Sequence, residues 1–448
     1  MPYSRFVYKS DMFANTEGLA LYFLICIGIF LVFFRKVPAD FFGIFMLSVY
    51  FQGFFQFLGP IVFNIFQVSQ VLLLLAWFVR SIGARGVSKQ YGALLGISIV
   101  SVIAFLIGEI INHGNIIMAL PFLLQIITPP LFVVSLDSSI HTQDKLQQYA
   151  TFVRSLLVFH ILAYIVKYLM FGVSEALAGT TSLADGGPAA LFPIVVMMFA
   201  FLTKRTGYVK SNTLLISLSF IVPLVGGKRA TWFFFPISLL LYAIFVTKKI
   251  KMSHIFAYAW IVPIVLYLGI RLSPTLNEEK KVWGEFTPEY TYSYVFDYNY
   301  GRESVREAGN RGGRMGVNQA VIESVDFSNI NSLFGYGLNS FRGSYWEKDI
   351  SMFSLEGIQD RSQFAGTGFS KRFLTQGIIG VALMIAVYIM ITGISHDKGV
   401  MRFMLILLLM IGYTYADLLY ASQALMTVFF FSMIYSNKHI NPTFARNA

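Results

Sequence analysis

The feature that most limits this chain is the spacing of its apolar runs. They fall at 18–34, 41–58, 61–79, 92–111, 115–136, 149–172, 187–203, 211–225, 230–247, 254–272, 374–394, 402–416 and 419–435. Most match the ~20 residues that a helix needs to cross a hydrocarbon core of roughly 30 Å. Lipid offers the backbone no hydrogen-bond partner, so each run has to be helical. Only 13% of residues are charged and 56% are hydrophobic, whereas a soluble domain carries about 25% charged residues. The pattern predicts an all-α polytopic membrane protein with about 12–13 transmembrane helices. Thirteen spans put the N-terminus outside. The alternative is twelve, with 41–79 folded as one span plus a re-entrant piece around Gly59 and Pro60.

The positive charge has a reading in the same terms. A net charge of +11 suggests nucleic acid in a soluble chain. Here Lys and Arg are needed to hold loops on the cytoplasmic side, facing anionic head groups. Arg80, Arg85 and Lys89 share one short loop, Lys204, Arg205 and Lys210 a second, Lys248, Lys249 and Lys251 a third, and Lys398 and Arg402 a fourth. These loops have one parity, and the C-terminal tail with Lys438 and Arg446 joins them. No cleavable leader is evident before the first run. The one cysteine, Cys26, lies inside that run, so neither a disulfide nor a thiolate metal cluster is expected.

Three regions follow: an N-terminal membrane domain of about ten spans (1–272), a large hydrophilic loop (273–373), and final spans with a tail (374–448). The loop carries 11 Lys or Arg and 13 Asp or Glu, so it ignores the positive-inside bias, as long translocated loops do. Its Trp283, Trp346, many tyrosines and amphipathic stretch from Met315 to Val325 predict a folded, mainly helical periplasmic domain, not a linker. No internal repeat of the transporter kind stands out.

Four groups of residues could carry chemistry. Gly226-Gly227-Lys228-Arg229 places two cations on the outer side, against the orientation bias, just before a helix start. Helix N-termini and flanking cations bind anions, and a pyrophosphate suits this one. The competing reading is snorkelling to head groups. In the loop, Arg302 and Arg306 with Glu303 and Glu307 read as a self-paired helix face, but Arg311 and Arg314 lie in a glycine-rich run leading into a helix. Phe334-Gly335-Tyr336-Gly337 is not a dinucleotide fingerprint, because no strand–helix unit surrounds it. It reads as a tight turn packed on the membrane domain. Finally, His160, Tyr164 and Lys167 share a helical face; the competing readings are packing for His160 and snorkelling for Lys167. There is no metal-ligand spacing, phosphate loop or nucleophile elbow.

These elements together resemble the O-antigen polymerase and O-antigen ligase superfamily of membrane glycosyltransferases. Gly227-Lys228-Arg229 resembles the family's G-S-R element. Gly313-Arg314-Met315 followed by 333–341 resembles its arginine, short helix and G-x-G-x-x-F pattern. Leu374-Thr375-Gln376-Gly377-Ile378-Ile379-Gly380 resembles its E-x-G entry to the next helix. The resemblance spans about 211–395. It implies an all-α C-type glycosyltransferase fold in the bacterial inner membrane, with the site on the periplasmic side. The implied reaction moves glycan from an undecaprenyl-pyrophosphate-linked donor to a lipid-linked acceptor in polysaccharide or lipopolysaccharide synthesis, without cofactor or metal. Arg229 and Arg314 are the expected catalytic residues, with Lys228, Arg271, Arg311, His160, Lys167 and Tyr336 as substrate-binding residues. Glu323, Asp326, Glu356 and Asp360 are unranked candidates for the base. Expected partners are the lipid-linked oligosaccharides, membrane lipids and a chain-length regulator, with no nucleic acid. The ligases carry a histidine about eleven residues before the glycine matched by Gly377, where this chain has Gly366. That departure favours a polymerase over a ligase; a transporter or flippase is the alternative from another class.

Overall fold

The computed structural model describes residues 15–34, 37–85, 89–112, 116–172, 178–183, 187–204, 213–247, 252–273, 276–279, 281, 283–300, 313–323, 325–337, 367–418 and 422–440. Among them regular structure is helical throughout, with no strand. Arg302, Arg306, Arg311, Glu356 and Asp360 lie outside the described residues.

The N-terminal helices are α1 (Thr16–Phe33), α2 (Phe41–Tyr50), α3 (Gln52–Phe57), α4 (Pro60–Arg85), α5 (Lys89–Ile111), α6 (Ile116–Ser139) and α7 (Gln143–Phe171). A 3-10 turn at Gly187–Ala190 leads to α8 (Phe192–Lys204), α9 (Thr213–Ser219), α10 (Ile221–Val225), α11 (Ala230–Val246) and α12 (Met252–Leu272). The loop region adds α13 (Pro288–Tyr300), α14 (Gly313–Glu323) and α15 (Ile330–Phe334), and the chain ends with α16 (Gly368–Gly393), α17 (Lys398–Thr414) and α18 (Gln423–Ile440). Helices α4, α5, α7 and α16 are long and apolar enough to cross a membrane, which marks an α-helical, membrane-associated protein.

Burial separates the helices by role. Between Phe192 and Ala200 in α8, and between Ala424 and Ser436 in α18, every residue is buried by protein, so these two helices form the centre. By contrast α4 exposes Ile61, Ile65, Val68, Leu72, Leu75 and Val79. Spacings of four and three put them on one stripe, an apolar face of a kind that water-exposed proteins avoid. The chain reverses at Gly59, where φ is +117°, and α2–α3 returns along α4. Gln70 Nε2 donates to Ser48 Oγ at 3.0 Å, pairing residues equally far from that turn. Run 41–79 is therefore a hairpin of helices.

The two ends of the bundle differ. At one, Asp40 pairs with Lys145 (3.3 Å) and Asp137 with Lys438 (3.1 Å). At the other, the loop helices rest on the ends of α5, α11, α16 and α17. Two glycines permit the tightest part of that contact. Gly335 (φ +80°) and Gly377 (φ +65°) bring two backbones together: a Cβ on either would strike main-chain atoms of the other segment. The amide of Tyr336 donates to Leu374 O at 2.7 Å, and Gly377 is also the kink within α16. The expected tight turn on the membrane domain is present.

Candidate functional site

At the loop-bearing end, a cavity of about 520 Å³ is lined by Gly187, Lys228, Arg229, Tyr294, Arg314 and Tyr415, with Phe233, Phe234 and Leu276 forming its apolar wall. That size suits a small ligand with a few placed polar groups. Local sequence explains how each cation arrives there. After α10 the chain turns through Gly226 and Gly227, the latter at φ +62°, and the Lys228 amide donates back to Pro223 O at 2.7 Å. Arg229 thereby becomes the N-cap of α11. The turn is held against the 187–190 segment, where Thr231 Oγ1 donates to Ala190 O at 2.7 Å. Arg314 enters from the loop as the second residue of α14.

Each guanidinium lies over an aromatic ring, Arg229 over Tyr294 at 4.7 Å and Arg314 over Tyr415 at 4.3 Å. Such contacts are worth about 0.5–2 kcal/mol, and they help to hold each guanidinium in place. Tyr415 is itself held by its hydroxyl, which donates to Gly187 O at 3.3 Å. Arg314 is held through Asn318, one turn on. The Asn318 amide donates to Tyr413 O at 2.6 Å, and its carbonyl accepts from Thr367 Oγ1 at 2.6 Å. The break after α17 that presents Tyr415 is anchored by a buried polar chain. Asp417 accepts from Tyr388 Oη at 2.6 Å and pairs with Arg372 at 3.3 Å. Arg372 donates to Gln376 Oε1 at 2.8 Å, and Gln376 donates to Ser101 O at 2.8 Å.

The described lining contains three cations and no carboxylate. Two helix N-termini, of α11 and α14, add partial positive charge there. The arrangement can hold a multiply charged anion through forked donors.

The other expected site residues lie elsewhere. Lys167 is fully buried, and its ammonium donates to the carbonyls of Gly179 (3.1 Å), Ser182 (3.1 Å) and Leu183 (2.8 Å). It neither snorkels nor lines the cavity. His160 is buried among Tyr50, Tyr164 and Phe192, beside Gly179. Both residues brace the 178–183 segment, which Gln56 also grips through the Leu183 amide at 2.8 Å. Tyr336 is 8% exposed and packs with Val321, Phe373 and Leu374. Arg271 ties α12 to the loop, donating to Gly284 O at 3.0 Å and Tyr267 Oη at 2.8 Å, beneath Trp283 at 4.5 Å. Trp283 has a φ of +63°, a conformation costing about 1–3 kcal/mol that its surroundings must enforce.

Among the described candidates for a base, Glu323 accepts from Gln319 at 3.1 Å, away from the cavity lining. Asp326 is exposed, and the Ser328 hydroxyl and amide hold its carboxyl below the ordinary range, which weakens it as a base. The residues missed from sequence are Tyr294, Tyr415 and Asn299. Asp417, a carboxylate in the narrow gap between two apolar runs, was the signal that could have directed attention to Tyr415.

No family model, curated protein or solved structure matches this chain.

Proposed function

We propose that this protein is a polysaccharide polymerase of the inner membrane. It transfers glycan from an undecaprenyl-pyrophosphate-linked donor to the terminal sugar of a lipid-linked acceptor. In this reading the chain crosses the membrane about 12–13 times, the basic loops face the cytoplasm, and the cavity opens on the periplasmic side. The observation that carries this reading is the meeting of Arg229 and Arg314, from distant parts of the chain, in one cavity with Lys228.

In the proposed reaction an acceptor hydroxyl oxygen attacks the anomeric carbon of the donor sugar. The bond from that carbon to the pyrophosphate oxygen breaks, the bonding pair leaves with undecaprenyl pyrophosphate, and the hydroxyl proton is released. Charge builds on the leaving oxygens, and oriented guanidinium donors in a partly enclosed site stabilise it. The apolar wall of Phe233, Phe234 and Leu276 keeps the dielectric low around those charges.

Purified protein in lipid nanodiscs, given lipid-linked repeat units from its source cell in buffer containing EDTA, should produce a ladder of longer glycans. Consumption without a ladder, or a ladder that requires added magnesium or manganese, contradicts the proposal.

A further inference from the structure

Helix α13 also carries an exposed aromatic stripe on a side other than the one Tyr294 occupies. Thr291 docks the helix, its hydroxyl donating to Leu276 O at 3.1 Å, and Tyr294 faces Arg229. Tyr292 and Phe296 instead point outward, 70% and 36% exposed. Their rings lie 5.9 Å apart and within 23° of parallel. Spacings of four and three put Tyr292, Phe296 and Asn299 on one side of the helix, and Asn299 lines the cavity. From Tyr292 to Asn299 the stripe is about 10 Å long at 1.5 Å per residue, alongside the cavity-lining Tyr294 and Val295.

We infer that this stripe is a glycan-binding surface, which holds the sugar chain attached to the pyrophosphate as it leaves the cavity. The inference rests on the function proposed above. A pyranose ring presents C–H faces that shed water against aromatic faces, while hydroxyls at its edge need donors and acceptors. Near-parallel rings give the flat apolar platform. The Asn299 amide supplies a donor and an acceptor at the cavity end; its own amide nitrogen already donates to Val295 O at 2.8 Å, which fixes its orientation. Continuity with the cavity selects this occupant, because a chain attached to a ligand held by Arg229 and Arg314 has to leave past one of the cavity's edges. Aromatic rings set at head-group level would be the membrane alternative, and Glu289 on the same exposed helix disfavours immersion in lipid.

The test uses full-length protein in nanodiscs and two probes, inorganic pyrophosphate and the oligosaccharide released by mild acid from the source cell's lipid-linked repeat units. Binding is measured by calorimetry for the wild type, for Tyr292→Ala with Phe296→Ala, and for Tyr292→Phe. Phe296 is only 36% exposed, so its truncation lowers the thermal midpoint to some degree, and affinities are compared at a temperature where every variant is folded. The double variant should bind the oligosaccharide roughly tenfold more weakly or worse, as the loss of stacking contacts implies. Its pyrophosphate affinity should be unchanged, and Tyr292→Phe should match the wild type. Unchanged oligosaccharide affinity in the double variant overturns the inference. So does quenching by brominated lipid that is greater in Tyr292→Trp than in the wild type, whose five native tryptophans set the baseline, because it would place the stripe in the membrane. If the wild type binds the oligosaccharide through the stripe but not pyrophosphate, the proposed function fails and the glycan surface stands.

Discussion

The guanidinium of Arg229 lies 4.7 Å from the ring centre of Tyr294, and that of Arg314 lies 4.3 Å from the ring centre of Tyr415, at the wall of one cavity. Both guanidinium groups line the same cavity, so an anion placed there meets forked donors from two distant parts of the chain. The tyrosine faces help to hold those donors in position.

Lys167 separates a structural role from a ligand-binding one. Its three donors satisfy three buried carbonyls. Lys167→Met keeps much of the stem but strands those carbonyls, so it should cost at least about 2 kcal/mol. The thermal midpoint in detergent should fall clearly, while protein that remains folded keeps its pyrophosphate affinity. A stable variant that no longer binds pyrophosphate would make Lys167 part of the ligand site.

The crossing of 333–336 over the α16 kink depends on two glycines. Gly335→Ala and Gly377→Ala force a side chain into a left-handed conformation and into opposing backbone, and each should cost on the order of 2–4 kcal/mol. Gly96→Ala, in a helix where an added Cβ meets nothing within 4 Å, should be neutral or stabilising by up to about 1 kcal/mol. Equal thermal midpoints for all three variants would refute this account of the motif.

The buried pair of Arg372 and Asp417 should respond asymmetrically. Arg372→Met or Asp417→Asn alone leaves an uncompensated group beneath Tyr415 and should cost about 3–5 kcal/mol. Arg372→Met combined with Asp417→Asn should cost less than the sum of the two single changes, since charged groups of both signs leave together. A double-mutant cycle on chemical denaturation reads the difference; simple additivity would show that the pair is not coupled.

The fold was legible where one physical constraint dominated. Apolar runs of helical length gave the helices, and the reversal at Gly59 resolves 41–79 as two helical limbs because Gln70 meets Ser48 across it. The cations at 228, 229 and 314 were legible because each sits in a glycine-rich approach to a helix start. Long-range pairing was not legible. Nothing in local sequence says that Tyr294 will face Arg229, or Tyr415 Arg314, because those contacts depend on how α13 and the α17–α18 break dock. Lys167 misled for a related reason. An ammonium near a helix end reads as an outward-reaching group, but the 178–183 segment folds over it and presents carbonyls instead of water.

The central claim is that Arg229 and Arg314 stabilise one departing pyrophosphate, and the most direct test is a kinetic double-mutant cycle with Arg229→Lys and Arg314→Lys. Lysine keeps the charge but not the planar fork. Each single change should lower turnover by about 100- to 1000-fold, and the double variant should be little worse than either, as expected of groups that act as a unit. Near-normal chain growth in both single variants, with the protein folded and present in the membrane, would contradict the account.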